Sequence, residues 1–382
     1  MNTLLTDNQQ NDLLKRGFSR RSFGRIAAIL TAGSALPFYN EPALAQLSNA
    51  GPIPPDAVKI DANENPLGPC AEARAAIQAI IPQGGRYMYS ETDTFRDIMS
   101  EMEGLKSSYV LPYSGSSAPL HQAVIAFTSP ERPLVTADPG YEAGEVAAKL
   151  IGAKVIRVPI TKRTYAHDVK AMAAASPDAG LIYVCTPNNP TGTLTPKADI
   201  EWLVENKPKG SIVMIDEAYI HFSGAPMCSD LVAKDKDVII LRTFSKIYGM
   251  AGLRAGVAMA RPDLLSKVRM YSAGALPITA MTAATASLKS KTVVPERKKI
   301  VAAVRDDVQG WLDKHNFQYV PSVSNKVMID VKRPGREVID AMRKEKVYIG
   351  RVWPSWPTHV RVTFGTQEEM NKFKTAFLKV MA

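Results

Sequence analysis

The run richest in chemistry is Arg242-Thr243-Phe244-Ser245-Lys246-Ile247-Tyr248-Gly249-Met250-Ala251-Gly252-Leu253-Arg254-Ala255-Gly256, directly after the apolar stretch Val238–Leu241. A lysine at a strand end, flanked by hydroxyls, stands where open α/β sheets meet their ligands. Its amine can capture an aldehyde. Small residues at 249, 251, 252, 255 and 256 admit something bulky close to the backbone. Arg254 can turn back, with Thr243 and Ser245, onto a phosphate. A lone Ser-Lys pair is an ordinary surface feature, so the information lies in the whole string.

Two further segments carry polar groups at strand ends. In Ile212-Val213-Met214-Ile215-Asp216-Glu217-Ala218-Tyr219 an acid closes a buried apolar run, which is costly unless the acid is paired. A ring N–H would pair it, and Tyr219 could donate to an oxygen on the same ring; the plain alternative is a helix N-cap at Asp216. Cys185-Thr186-Pro187-Asn188-Asn189-Pro190-Thr191-Gly192 follows the run 180–184. Its prolines and glycine fix a tight turn from which Asn189 can aim an amide into a crevice. On its own it reads only as a turn. An amine, an acid for a pyridinium and a cationic phosphate cup are together what pyridoxal 5′-phosphate (PLP) needs.

The strings resemble the fold-type-I PLP-dependent aminotransferases, most closely the histidinol-phosphate aminotransferase group, across nearly all of 58–382. Asp61-Ala62-Asn63-Glu64-Asn65-Pro66-Leu67-Gly68-Pro69 is similar to that group's N-terminal signature, and Val360-Arg361-Val362-Thr363-Phe364-Gly365-Thr366 to its C-terminal arginine motif. The resemblance implies Lys246 as Schiff-base lysine and proton shuttle, and Asp216 on the pyridine nitrogen. Asn189 and Tyr219 would hold the ring oxygen, and Tyr141 of Asp138-Pro139-Gly140-Tyr141 would stack on the ring. Gly115, Ser116 and Ser117 would bind phosphate at a helix N-terminus, completed by Thr243, Ser245 and Arg254. Arg361 would take the substrate α-carboxylate, with Asn65, Asn325 and Arg351 as further substrate contacts. Tyr87 matches a tyrosine that reaches the partner subunit's phosphate, which implies a homodimer. The chain departs from the pattern at Gly115-Ser116-Ser117-Ala118, where an acidic pair is missing, at Tyr87-Met88-Tyr89, and in the bulky stretch holding Trp353, Pro354, Trp356 and Pro357. The amino donor and the acceptor 2-oxo acid therefore stay open, as do oxidase, lyase and decarboxylase outcomes on the same ring. A non-catalytic amino-acid-binding protein is the remaining alternative.

Elements must hold these groups in place. Apolar β-rich runs recur at 133–137, 154–158, 180–184, 211–215, 237–243 and 255–259, with helical patterns at 117–128, 142–151, 168–175 and 196–205. That alternation predicts an α/β fold with a mainly parallel, seven-stranded-type sheet. A long helical region at 278–316 then gives way to short strands at 327–331, 347–350 and 360–364 and helices at 335–344 and 366–381, a smaller α+β domain. The expected division is a leader at 1–45, an arm and part of the small domain at 46–83, a large cofactor-binding domain at 84–275, and a linking helix with the small domain at 276–382.

The 382 residues, 46% hydrophobic and 22% charged, suit a globular chain of two domains. Net charge is +10, but the basic residues are scattered and lack interleaved aromatics, which argues against nucleic acid. Cys70, Cys185 and Cys228 form no CxxC pair, and the five histidines show no metal-ligand spacing. No metal is expected.

The N-terminus reads as an address. Residues 1–18 are polar with no clear apolar period; Ser19-Arg20-Arg21-Ser22-Phe23-Gly24 precedes an apolar run from Ile26 to Leu36, and Ala43-Leu44-Ala45 offers a small-residue cleavage site before Gln46. The paired arginines resemble a twin-arginine (Tat) signal. Export by the Tat machinery to the periplasm, with the signal removed after Ala45, is the expectation. The alternative is an amphipathic helix that stays on the protein. The apolar run is too short to span a membrane.

Overall fold

The computed structural model describes residues 5–32, 52–271 and 275–382. Its centre is a seven-stranded sheet in the order β2 (Val110–Tyr113), β8 (Gly256–Ala260), β7 (Val238–Thr243), β6 (Ile212–Asp216), β5 (Leu181–Cys185), β3 (Leu134–Asp138), β4 (Val155–Pro159). β8 runs antiparallel to both β2 and β7, and the remaining pairings are parallel. The middle strands are buried along their whole length. That explains their near-continuous apolar sequences, since helices cover both faces of such a sheet. The expected α/β architecture and mainly parallel sheet are therefore present. The reversal of β8 was not foreseen, because a run as short as Gly-Val-Ala-Met-Ala carries no mark of direction.

The smaller unit holds an antiparallel sheet in the order β12 (His359–Thr363), β10 (Lys326–Asp330), β9 (Gln318–Val320), and a parallel pair of β1 (Val58–Ile60) with β11 (Val347–Ile349). Its apolar core gathers Val58 and Ile60 from near the arm with Val304, Val308 and Leu312 and the strands and helices up to Phe377. The region expected as one long helix is two, Ile278–Lys289 and Val293–Lys314. The first buries Ala280, Met281, Ala283, Ala284 and Leu288 in the large core. The second passes from that core at Val293 and Val301 into the small one at Val304. One continuous helix thus joins the two hydrophobic cores.

Near the N-terminus, Asp7–Lys15 and Arg20–Ala32 are helical. Thr6 and Gln9 form a reciprocal capping box, a start signal that the polar composition of 1–18 concealed. Leu5, Leu13, Phe18, Phe23, Ile26 and Ala27 bury themselves in the large core. Arg16 donates to the carbonyls of Ile125 and Thr128 at the end of helix Ser117–Phe127 and bonds Asp12 and Tyr271. Arg20 and Arg21 remain exposed. Ala43-Leu44-Ala45 and Gln46 lie outside the described residues. No helix among the described residues is long and apolar enough to cross a membrane.

Candidate active site

The site lies at the C-terminal ends of the parallel strands. Cys185 closes β5, Asp216 closes β6 and Thr243 closes β7; Cys185 pairs with Asp216 and Asp216 with Leu241, so β7 runs two residues beyond its neighbours. A pocket there is lined by Ala62, Glu64, Ser116, Ser117, Tyr141, Cys185, Asn189, Asp216, Ala218, Tyr219, Thr243, Ser245, Lys246, Ala251 and Arg254.

Strand alternation sends Asp216 and Glu217 to opposite faces. Glu217 turns away and is held by Arg242 at 2.6 Å and the Cys228 N–H at 2.9 Å. Arg242 also pairs with Glu103 at 2.7 Å, so a buried, satisfied ion triad backs the strand ends. Asp216 faces the pocket. Its Oδ2 accepts from the Tyr183 hydroxyl at 2.8 Å and its Oδ1 from the Ala218 N–H at 3.1 Å. Burial pushes its carboxyl above the usual range, against those two hydrogen bonds and the Lys246 ammonium, which favour the anion. A cationic ring N–H at this carboxylate would offset the same burial.

Lys246 is 7% exposed, and its Nζ donates to the Ala62 carbonyl at 3.3 Å. The Tyr219 hydroxyl accepts from Asn63 Nδ2 at 3.0 Å. Arg361 Nη1 donates to Asn189 Oδ1 at 2.8 Å, and Arg361 is fully buried.

A second cluster forms a cup. Thr243 Oγ1 donates to Ser245 Oγ at 2.9 Å, Arg254 Nη1 to Ser245 Oγ at 3.2 Å, and Arg254 Nη2 to the Ser114 carbonyl at 3.3 Å. Ser116 and Ser117 face the same pocket at the start of helix Ser117–Phe127, where backbone N–H groups and the helix dipole favour an anion. Gly115 has a positive φ of 83°, and a Cβ there would collide with the Arg254 guanidinium. Only glycine lets the arginine lie across the cup. A carboxylate for a ring nitrogen, a phenol for a ring oxygen, a lysine amine and an anion cup share one pocket. These groups fit PLP.

The remaining expected contacts fall as follows. Arg351 donates to Glu142 at 2.7 Å and lies over the Trp353 ring, which Arg361 also approaches. Asn325 Nδ2 donates to the Asn63 carbonyl at 3.2 Å. Asn65 is spent on the loop after the lysine: its Nδ2 donates to the Ile247 carbonyl at 3.2 Å and its Oδ1 accepts from the Leu67 N–H. Tyr87 is 72% exposed, stacked on Tyr89, and does not line its own chain's pocket.

Three residues at the site were not singled out from sequence. Asn63 holds Tyr219, and its signal was its place in the Asp61–Pro69 string. Tyr183 holds Asp216 from inside an apolar run that reads simply as core. Lys326 opens β10 fully buried, with Nζ 3.1 Å from the Tyr219 ring centroid; a lysine leading an apolar strand was the available signal. Among the described residues no group of His, Cys, Asp or Glu could hold a metal ion.

Comparison with known proteins agrees with this arrangement. The family description Aminotransferase class I and II matches residues 55–377. The histidinol-phosphate aminotransferase of Moorella thermoacetica is 32% identical over 341 residues, 86% of each chain. That of Symbiobacterium thermophilum is 35% identical over 329 residues, covering 84% of this chain and 90% of that protein. The crystal structure of histidinol-phosphate aminotransferase from Sinorhizobium meliloti in complex with pyridoxal-5′-phosphate shares the fold, with a TM-score of 0.78 at 24% identity over 91% of this chain and 96% of that one. The chain belongs to the class I and II aminotransferases and is a PLP-dependent enzyme.

Proposed function

We propose that the enzyme moves an amino group between an amino acid or related amine and a 2-oxo acid, with Lys246 as both anchor and proton carrier. The observation that carries this reading is the convergence of Lys246, Asp216 and Tyr219 on one pocket beside a cationic cup. Bound PLP supplies an aldehyde to capture amines and a ring that stabilises negative charge at the neighbouring carbon. The protein's residues do the rest. Asp216 keeps the ring nitrogen protonated. Tyr219 and Asn189 hold the ring oxygen, while Tyr141 covers the ring face. Ser116, Ser117, Thr243, Ser245 and Arg254 hold the phosphate. With the cofactor bound, the Lys246 amine would serve as the general base that takes the substrate Cα proton, and would carry that proton within the pocket.

Arg361 is proposed to orient the donor through its carboxylate, supported by its buried place beside Asn189. Arg351, beside Trp353, is the second cation available to an acidic group. The relatives' name points to histidinol phosphate as one donor to try; aromatic and basic amino acids are the others. Incubating purified enzyme with each donor, and following loss of the visible cofactor band, tests cofactor and donor together. Product analysis with and without a 2-oxo acid separates transamination from oxidation, elimination or decarboxylation. Ammonia and peroxide formed without acceptor would assign an oxidase.

Two further parts of the reading concern assembly and address. Exposed Tyr87 supports a homodimer in which it reaches the partner's phosphate; sedimentation of the holoenzyme at the mass of one chain would oppose this. The exposed Arg20–Arg21 pair supports Tat export to the periplasm with removal after Ala45. Exported protein that begins at Met1 would instead assign the docked helices to the mature enzyme.

A further inference from the structure

β10 and β12 pair with Lys326 opposite Thr363 and Met328 opposite Arg361. Opposed residues share a face, and so do residues two apart. Lys326, Arg361 and Thr363 therefore project from one face of the small sheet, and all three engage the site. Arg361 bonds Asn189. Thr363 Oγ1 accepts from the Asn63 N–H at 2.9 Å. Lys326 places Nζ over the Tyr219 ring, 3.1 Å from its centroid, and donates to Ser324 Oγ at 3.1 Å. Lys246 approaches the same ring at 5.6 Å.

A desolvated ammonium on the face of a phenol favours the phenolate, so it makes the hydroxyl a stronger donor. The groups around Tyr219 do not cancel that charge evenly. Lys246, Lys326 and Arg361 are cations, and Asp216 and Glu64 are acids. Tyr141, Tyr183 and Cys185 can contribute charge only by losing a proton, which burial opposes for Tyr183 and Cys185.

We propose that Lys326 is a positioning residue acting through Tyr219: its buried cation strengthens the phenol that holds the cofactor's ring oxygen, and so lowers the pH at which the Lys246–cofactor link gives up its proton. This rests on the PLP reading of the pocket.

The test is a pH titration of the visible band of the holoenzyme. Removing the cation in K326M or K326Q is expected to raise the midpoint by about one unit, a tenfold gain in proton affinity. K326R, which keeps the charge, is expected to stay near the wild-type midpoint. In a Y219F background the effect of K326M is expected to fall to less than half. Wild-type midpoints in both K326M and K326Q overturn the proposal, and so does an undiminished shift in Y219F, which would mean that the charge acts directly. If K326M does not hold cofactor, K326Q against K326R decides in the same way. A colourless wild-type protein refutes the cofactor reading, whereas a coloured one with unshifted variants refutes only the role of Lys326.

Discussion

The Tyr183 hydroxyl donates to Asp216 Oδ2 at 2.8 Å from the neighbouring strand, deep in the sheet. Burial pushes the tyrosine's pKa well up, so it remains a donor, and its hydrogen bond favours the ionised carboxylate. A hydrogen bond that favours the charge needed on Asp216, against the burial that raises its pKa, is thus built into two adjacent strands before any ligand arrives. A hydrogen bond to a charged group is worth about 1.5–3 kcal/mol. Tyr183→Phe should retain cofactor and lower kcat by about tenfold or more. Steady-state rates and the bound-cofactor spectrum check this; an unchanged kcat would remove Tyr183 from the account.

Lys246→Ala should lose turnover by a factor on the order of 10²–10⁴, the usual range for a positioned general base. It also loses covalent capture of the cofactor. Single-turnover rates with an added donor measure the proton-transfer part alone, and rescue by a small primary amine is the expected signature.

Arg361→Lys keeps the charge but gives up the two-pronged geometry, in which Nη1 and Nη2 bond Asn189 and the Asp61 carbonyl. It should raise KM for carboxylate donors by about 10- to 100-fold and leave cofactor binding intact. Unequal effects on donors with and without an α-carboxylate would show which anion Arg361 receives.

Acid should weaken the fold through two imidazoles whose surroundings disfavour the charged form, His167 buried and His221 half-buried. Burial pulls His167 from 6.5 down to about 4 and His221 to about 3. Their folded forms resist protonation while the unfolded chain accepts it. Their contribution is therefore complete above pH 6.5, falls as pH drops toward 3–4, and changes no further below that. Each can cost on the order of 3 kcal/mol. The Nδ1 of His221 is buried without a hydrogen-bond partner, and its ring meets Tyr248 edge-on. His221→Phe should therefore lose less stability than wild type between pH 7 and 4.5 in urea denaturation. Parallel losses in the two proteins would contradict this.

How much of this was legible in sequence follows from what each residue depends on. Asp216 stands out because an acid ending an apolar run signals a strand end facing a crevice, and Lys246 and Arg254 because they share a small-residue loop directly after such a run. Tyr183 and Lys326 do not, because their meaning comes from a neighbouring strand or another domain. The break between Lys289 and Val293 was hidden in a continuously helical pattern, with only Ser290-Lys291-Thr292 to mark it. The helix Asp7–Lys15 was missed because its one fully buried leucine, Leu13, leaves no apolar period to read.

Borohydride reduction of the yellow holoenzyme, followed by peptide mapping, tests the central claim most directly. A single phosphopyridoxyl adduct on Lys246 is the predicted result. Protein that stays colourless with added PLP, or an adduct on any other lysine, would contradict it.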